Sequence, residues 1–333
     1  MPQNQSVTGP VLVTGGAGFI GSAVVAELLR CGAEVVVLDD LSRGHADAVP
    51  ADVPLVVGNI LDPAAIEAAT RAKGLPCACI HLAGLAYVAE SFEIPAEYFK
   101  VNAHGTLTLA SRLLELGVKR LVFSSSCTVY APTESGLISE RSALGPISPY
   151  GESKRQAESI LGWLAATHPG FRWATLRYFN ASGATAEARE RHDPETHILP
   201  LILRSQAVGG APLRVYGTDY DTADGTCERD YVHVADLARA HVLALRALDG
   251  APHLALNLGG GVSTSILALI REVERQTQRA VPWQAGPRRI GDAARLVADV
   301  AEADRVLGWR PERSGLAEIV RDAARYLSLP QAP

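Results

Sequence analysis

The stretch Val11-Leu-Val-Thr14, followed by Gly15-Gly-Ala-Gly18-Phe-Ile-Gly21, leaves this chain few folds to adopt. A short β-branched run reads as a strand. Glycines at 15, 18 and 21 then permit a tight turn, a close backbone approach and a helix packed tightly on that strand. Ile20, Val24 and Leu28 recur at helical spacing, and Gly32 supplies the stop. A lone glycine pattern means little. Between a strand and a helix it becomes a turn whose backbone N–H groups face an anionic ligand.

The rhythm repeats through the first half. Glu34-Val-Val-Val-Leu38, Leu55-Val-Val57, Cys79-Ile-His-Leu82, Leu121-Val-Phe-Ser124 and Ala174-Thr-Leu-Arg177 are predicted strands between amphipathic stretches. Continuous apolar strands alternating with helices predict an α/β fold, a Rossmann-like doubly wound parallel sheet covered on both faces. After Asn180 the pattern breaks. Residues 183–197 are rich in Glu, Arg, His and Asp, and 217–228 in Gly, Asp and Thr, as in loops laid over a ligand. A helix around Val234–Leu248 and a strand Leu254–Leu258 return to the sheet. Residues 262–330 read as a mixed helical lobe that ends in a helix over Leu316–Leu327. For 333 residues the expected division is a dinucleotide domain over 1–180, rejoined around 234–260. A smaller C-terminal substrate-binding lobe takes 181–233 and 261–333.

Charge and cysteines exclude several function classes. Thirty-six acidic residues against 31 basic ones give a net charge of −5, which argues against a nucleic-acid binder. Cys77 and Cys79 have no second pair to complete a zinc site, so reduced, buried thiols and no metal are expected. No apolar run approaches the ~20 residues that cross a bilayer. No positive charge precedes Val11, so no secretory signal is read and the chain is expected in the cytoplasm, away from membranes.

Asp39 closes the second predicted strand, 24 residues after Gly15. An acid there binds the adenosine ribose hydroxyls and repels a 2′-phosphate, which favours NAD over NADP. Arg43 nearby pulls the other way, because an arginine accommodates that phosphate.

Further on, Tyr150 and Lys154 stand four residues apart in Pro149-Tyr-Gly-Glu-Ser-Lys154, on one face if the stretch is helical. A phenol keeps its proton to about pH 10, and a neighbouring ammonium lowers that value toward a usable base. Ser126, 24 residues upstream of Tyr150, supplies a hydroxyl for the substrate oxygen. Each residue alone is as readily a strand-end serine or a solvated lysine; behind a dinucleotide turn, the three together point to proton and hydride handling.

These motifs resemble the short-chain dehydrogenase/reductase superfamily, in its extended form. The match continues through Leu38-Asp-Asp-Leu-Ser-Arg-Gly44, His81-Leu-Ala-Gly-Leu85, Phe123-Ser-Ser-Ser-Cys-Thr-Val-Tyr130 and Leu176-Arg-Tyr-Phe-Asn180. Asp224-Gly-Thr-Cys-Glu-Arg-Asp-Tyr-Val-His-Val234 and Pro287-Arg-Arg-Ile-Gly-Asp292 are more specific, and resemble the UDP-glucose 4-epimerase family from Val11 to about Leu327. The resemblance implies Ser126, Tyr150 and Lys154 as the catalytic set. It implies NAD contacts from Gly15, Gly18, Phe19, Ile20, Gly21, Asp39, Asp40, Asn59, Ile60, Leu82, Ala83, Gly84, Asn102, Ser124 and Tyr178, with Tyr150 and Lys154. Asn180, Arg229 and Arg289 would hold a UDP-sugar's phosphates, Asp292 a ribose hydroxyl and Tyr216 the uracil. Ser126 and Tyr150 would meet the sugar, and Leu296 would set the size of its pocket. The implied reaction removes hydride from C4, leaving a 4-keto sugar and NADH, and returns it to the opposite face. A homodimer is implied as well.

Three positions depart from the family pattern. Asn59 replaces the usual Asp beside the adenine, Ala86 a cofactor-contacting Lys, and His197 an Asn that often meets the ligand. His197 is equally readable as a structural histidine. Leu296 is intermediate in size, so other UDP-sugars, N-acetylated or pentose, stay open. A dehydratase would need an acid beside the catalytic hydroxyl residue, where this chain has Cys127 and Thr128. A net dehydrogenase or reductase, and a non-catalytic NAD-sensing regulator, are the remaining readings.

Overall fold

The computed structural model describes residues 9–133, 135–207, 210–289 and 292–326. Its first strand and helix are β1 (Val11–Thr14) and α1 (Phe19–Arg30), followed by β2 (Val35–Asp39) and β3 (Leu55–Val57). Next come α2 (Pro63–Arg71), β4 (Ala78–His81), two short helices α3 (Val88–Glu93) and α4 (Pro95–Tyr98), then a π-helical turn Phe99–His104. Helix α5 (Gly105–Glu115), strands β5 (Arg120–Ser126) and β6 (Leu137–Ile138), helix α6 (Pro149–Thr167) and β7 (Arg172–Tyr178) complete the first half.

The wide sheet adds one later strand. After β8 (Asn180–Ser182), α7 (Ile198–Ser205), β9 (Leu213–Tyr216) and β10 (Glu228–His233), helix α8 (Val234–Ala247) leads into β11 (His253–Leu258). Seven parallel strands then stand in the order β11-β7-β5-β4-β1-β2-β3. The order reverses between β1 and β4, which opens a crevice at their carboxyl ends, the standard dinucleotide position of a doubly wound sheet. Strand alternation builds two cores. Val11, Val13, Val35, Val37 and Ile80 face α1 and α8, whereas Leu12, Val36, Leu38, Cys79 and Phe123 face α2, α5 and α6.

The remaining elements are β12 (Ser263–Ser265), α9 (Ile266–Thr277), β13 (Trp283–Gly286), β14 (Arg295–Ala298), α10 (Ala301–Leu307) and α11 (Leu316–Tyr326). A second sheet, β12-β10-β14-β6, carries β8 against β10, and β13 pairs with β9. A third core joins Leu199, Ile202 and Leu203 of α7 to Leu269 and Val273 of α9 and Ile319 of α11. The stretch after residue 262, expected to be a mixed helical lobe, holds three strands beside its helices among the described residues. Leu327, the expected end of the last helix, lies outside the described residues, as do 1–8 and 328–333. No helix among the described residues is long and apolar enough to cross a membrane.

Candidate active site

The glycine turn is shaped by contact with β4. Gly15 has φ +73°, and a Cβ there would lie 2.5 Å from the Ala83 backbone nitrogen, so no larger residue fits the crevice wall. Thr14 Oγ1 pairs with the buried His81 ring at 2.7 Å, and Thr106 holds its other nitrogen at 3.0 Å. Burial and the Lys154 charge push His81 down to about 3, so the ring is neutral and acts as a strut between β1, β4 and α5.

NAD fits the residues present. Gly18 heads α1 with no side-chain cap and no acid in the first turn, so the first N–H groups of this 12-residue helix keep their positive potential for phosphate. A Cβ on Gly18 would meet only Gly15 O, at 3.3 Å, which leaves that face open to a ligand. Asp39 is fixed by N–H donors from Ala17 and Leu41, both at 2.9 Å, and burial raises its carboxyl above the ordinary range. Arg43, the residue able to receive a 2′-phosphate, is engaged elsewhere: it pairs with Glu90 at 2.6 Å and stacks over Tyr87. Asn59 donates to Asp40 Oδ2 at 2.8 Å while its own oxygen accepts from Leu61 N, so an amide avoids setting two carboxylates together. Ile60 is buried against Gly105, and Ala86 is exposed.

Across the crevice, β5 runs to Ser126, two residues further than expected, so Ser124, Ser125 and Ser126 all belong to the strand. Ser148 caps α6 by accepting from Gly151 N at 3.1 Å, with Pro149 at the first helical position. A Cβ on Gly151 would lie 2.3 Å from Thr128 O, so glycine lets α6 lie directly on the turn after Ser126. Tyr150, Lys154 and Glu158 fall on the helix's buried face, one turn apart.

The Tyr150 phenol is buried beside Ser126, and the Tyr98 ring meets the Tyr150 ring edge-on at 6.2 Å. Ser126 Oγ also accepts from Thr128 Oγ1 at 2.9 Å. Lys154 Nζ donates to Ser124 O at 2.9 Å and sits 5.1 Å from the Phe123 ring centroid. One expectation needs correction. Burial pushes the phenol up to about 12, and only the neighbouring Ser126 hydroxyl lowers it; Lys154, itself brought down to about 8 by burial, is aimed at the strand carbonyl. Desolvation thus outweighs the ammonium effect that the spacing suggested.

Around this set, Asn102 in the π-helical turn donates to Leu85 O and Ser153 Oγ, both at 3.0 Å, and accepts from Leu85 N. Tyr178 is buried in contact with His241 and with the Ser124 hydroxyl. Leu82, Ala83 and Gly84 line the chain leaving β4.

The second group comes from β8, β9, β10, β14 and the chain leading into β14. Arg229 Nη2 pairs with Asp292 Oδ1 at 2.7 Å, and its Nη1 donates to Ala293 O at 2.9 Å. The Arg289 guanidinium lies 4.2 Å from the Tyr216 ring centroid. Asn180 Nδ2 donates to Asp230 O at 2.7 Å, and Leu296 pairs in register with Arg229 and packs with Cys127 and Phe179. Ile290 and Gly291, between two of these residues, lie outside the described residues. His197 stands apart from this group: its Nδ1 engages Glu195 at 3.0 Å, a bond that favours the structural reading.

Sequence reasoning missed the supports. Glu158 receives Ser125 Oγ at 2.5 Å and pairs with buried Arg177 at 2.6 Å; Arg177 in turn donates to Tyr130, whose hydroxyl donates to Asn257. Asp230 accepts from the N–H groups of Gly260, Gly261 and Ala298, although burial raises it to about 6. The one available cue was Glu158 at a further four residues on the Tyr150–Lys154 stripe.

A doubly wound sheet with this turn and this fixed acid defines an NAD-dependent enzyme class. The pattern of the NAD dependent epimerase/dehydratase family matches residues 11–259. A UDP-glucose 4-epimerase of Streptomyces lividans is 41% identical over 322 residues, covering 97% of each chain. The crystal structure of UDP-glucose 4-epimerase from Brucella ovis in complex with NAD aligns with a TM-score of 0.92 at 44% identity, over 96% of this chain and 98% of that one. A UDP-glucose-4-epimerase from Stenotrophomonas maltophila, with bound NAD and formylated UDP-arabinopyranose, gives 0.91 at 39%, over 96% and 97%. The chain belongs to the NAD dependent epimerase/dehydratase family, on its UDP-glucose 4-epimerase branch.

Proposed function

We propose that this protein interconverts UDP-glucose and UDP-galactose by inverting C4 of the sugar. The observation that carries the reading is the buried Tyr150 phenol against Ser126, at the carboxyl edge of the sheet beside the glycine-turn crevice. Near full-length identity to UDP-glucose 4-epimerases supports it. NAD, held by these residues, would supply the reversible two-electron acceptor for hydride chemistry at C4. This chain's own residues do the rest. Ser126 holds the C4 oxygen; Tyr150, whose phenol the positive charge of a bound nicotinamide would draw down from its ligand-free value, takes the hydroxyl proton and later returns it. Lys154, Tyr178 and Asn102 orient the nicotinamide end, while Asp39 with Asp40 and Asn59 hold the adenosine end.

For the substrate, Arg229 and Arg289 grip the diphosphate with Asn180, since guanidinium forks suit phosphate oxygens. Asp292 and Tyr216 hold the nucleoside, and Leu296 borders the sugar. Two demands follow from inversion: the diphosphate is held firmly, and the sugar is free to turn. A second copy is the expected partner, supported by the exposed Trp163 on α6 and Leu107 on the adjoining α5. The free thiols of all five cysteines support a cytoplasmic location.

The test is incubation of purified protein with each UDP-hexose and chromatography of the products. Interconversion without added reductant is expected. No interconversion, with steady accumulation of NADH, would replace this reading by a net dehydrogenase.

A further inference from the structure

The charged segment after β8 carries a feature that epimerisation does not use. Residues 183–197 fold over the loop that follows Asp39. Arg43 donates to Asp193 O at 2.8 Å, the His45 ring meets Arg191 O at 3.1 Å, and Arg191 pairs with Asp47 at 2.7 Å. On the inner side, Glu190, His192, Glu195 and His197 each bring one donor atom to a common point, all within 4.8 Å of one another. His197 Nδ1 lies 2.9 Å from Glu190 Oε1 and 3.0 Å from Glu195 Oε1, and His192 Nδ1 lies 3.5 Å from Glu190 Oε1.

The two carboxylates are the unusual part. The Glu190 and Glu195 side chains are 3% and 1% exposed. Glu190 Oε1, Glu195 Oε2 and His192 Nδ1 are buried and make no well-aligned hydrogen bond, the close His197 contact to Glu190 included. The nearest guanidinium, Arg204, stops 3.8 Å from Glu195 and is half exposed. In the ligand-free chain the only cation between the two carboxylates, among the described residues, is the His197 ring, which they favour in its protonated form. One positive charge against two buried carboxylates with unsatisfied oxygens is costly unless a divalent cation takes its place.

We propose that Glu190, His192, Glu195 and His197 form a structural divalent-cation site of the zinc class. Two imidazoles and two carboxylates are a zinc donor set, whereas magnesium and calcium favour oxygen alone. Zinc bonds of about 2.0–2.2 Å in a tetrahedron set neighbouring donors roughly 3.3–3.6 Å apart. Three of the six donor separations, 2.9, 3.0 and 3.5 Å, lie close to that range, and the others, within 4.8 Å, must shorten as an ion draws the donors in. Four protein donors fill the tetrahedron and leave no position for a reactive water, so the ion's role is to fasten the loop. Its effect falls on the strap over residues 43–47, beside the proposed adenosine end of the NAD site.

The test uses tag-free, full-length protein stripped with a chelator. Zinc is added, excess is removed, and retained metal is measured by mass spectrometry and by competition with a chromophoric chelator. One zinc per chain is expected, and Co²⁺ should give the visible absorption of a tetrahedral site. Glu190→Gln should weaken zinc at least about tenfold, and His192→Ala should abolish the cobalt band, whereas Glu187→Gln, on an exposed neighbour, should leave both unchanged. If Glu190→Gln fails to fold, His192→Ala carries the same comparison. No zinc retained by the parent protein, or equal zinc and cobalt signals in the His192 variant, would overturn the site.

Discussion

The two halves of the proposed active site are built by different means. At the sheet edge, Ser126, Tyr150 and Lys154 are buried, and their positions follow from strand β5, helix α6 and backbone partners such as Ser124 O. On the β10–β14 side, Arg229, Asp292 and Tyr216 are part-exposed and Arg289 is exposed, and they make two contacts: the Arg229–Asp292 ion pair and the Arg289 guanidinium on the Tyr216 ring. The first half is preorganised by the fold, the second by side chains that a ligand can engage in place of their present partners. That difference suits a reaction whose proton transfer needs fixed geometry and whose substrate must enter, turn and leave.

Predictions follow the same division. Tyr150→Phe removes the proton carrier and should lower turnover by roughly 100- to 10,000-fold, with UDP affinity, measured by calorimetry, nearly unchanged. A parallel loss of affinity would erase the boundary between the halves. Glu158→Gln leaves Arg177 buried beside a neutral partner and should cost about 3–5 kcal/mol of stability, read as a lower denaturation midpoint. An unchanged midpoint would mean that the sheet edge does not depend on its buried support.

Effects on the ligand side should be smaller. Arg229→Ala should weaken UDP binding by about 2–3 kcal/mol and leave the midpoint close to the parent value. A large loss of stability instead would make the Arg229–Asp292 pair structural. Leu296→Tyr should shift the preference between UDP-glucose and UDP-N-acetylglucosamine by about 1–3 kcal/mol in kcat/KM; equal specificity constants would remove Leu296 from the sugar pocket.

A pH effect should belong to the sheet edge. Burial lowers Lys154 from its ordinary value to about 8 in the ligand-free protein. Between that pH and the unfolded value of about 10.4, the unfolded chain binds more protons, so stability rises with pH. Denaturant melts of ligand-free protein should show that rise relative to Lys154→Met. Parallel curves for the two proteins would mean that the ammonium is not desolvated.

Legibility in the sequence divided along physical lines. The glycine turn was readable because its demands are local: a strand, three glycines and a helix lie within 20 residues. Tyr150 and Lys154 were readable because helical spacing alone puts them on one face. The phenol's pKa was not, since it depends on Tyr98, Cys127 and the rest of the burying shell, which sequence separation hides. The same holds for Glu158–Arg177, for His81 between Thr14 and Thr106, and for Asn59 opposite Asp40. Arg43 was ambiguous until its partners, Glu90 and Tyr87, were known.

The central claim is that Tyr150 exchanges only the hydroxyl proton while the C4 hydrogen stays out of water. UDP-galactose deuterated at C4, incubated with the enzyme in ordinary water, tests this directly by mass spectrometry of the product. The account predicts UDP-glucose with the deuterium retained at C4. UDP-glucose that has lost its label to solvent, or no UDP-glucose at all, would contradict it.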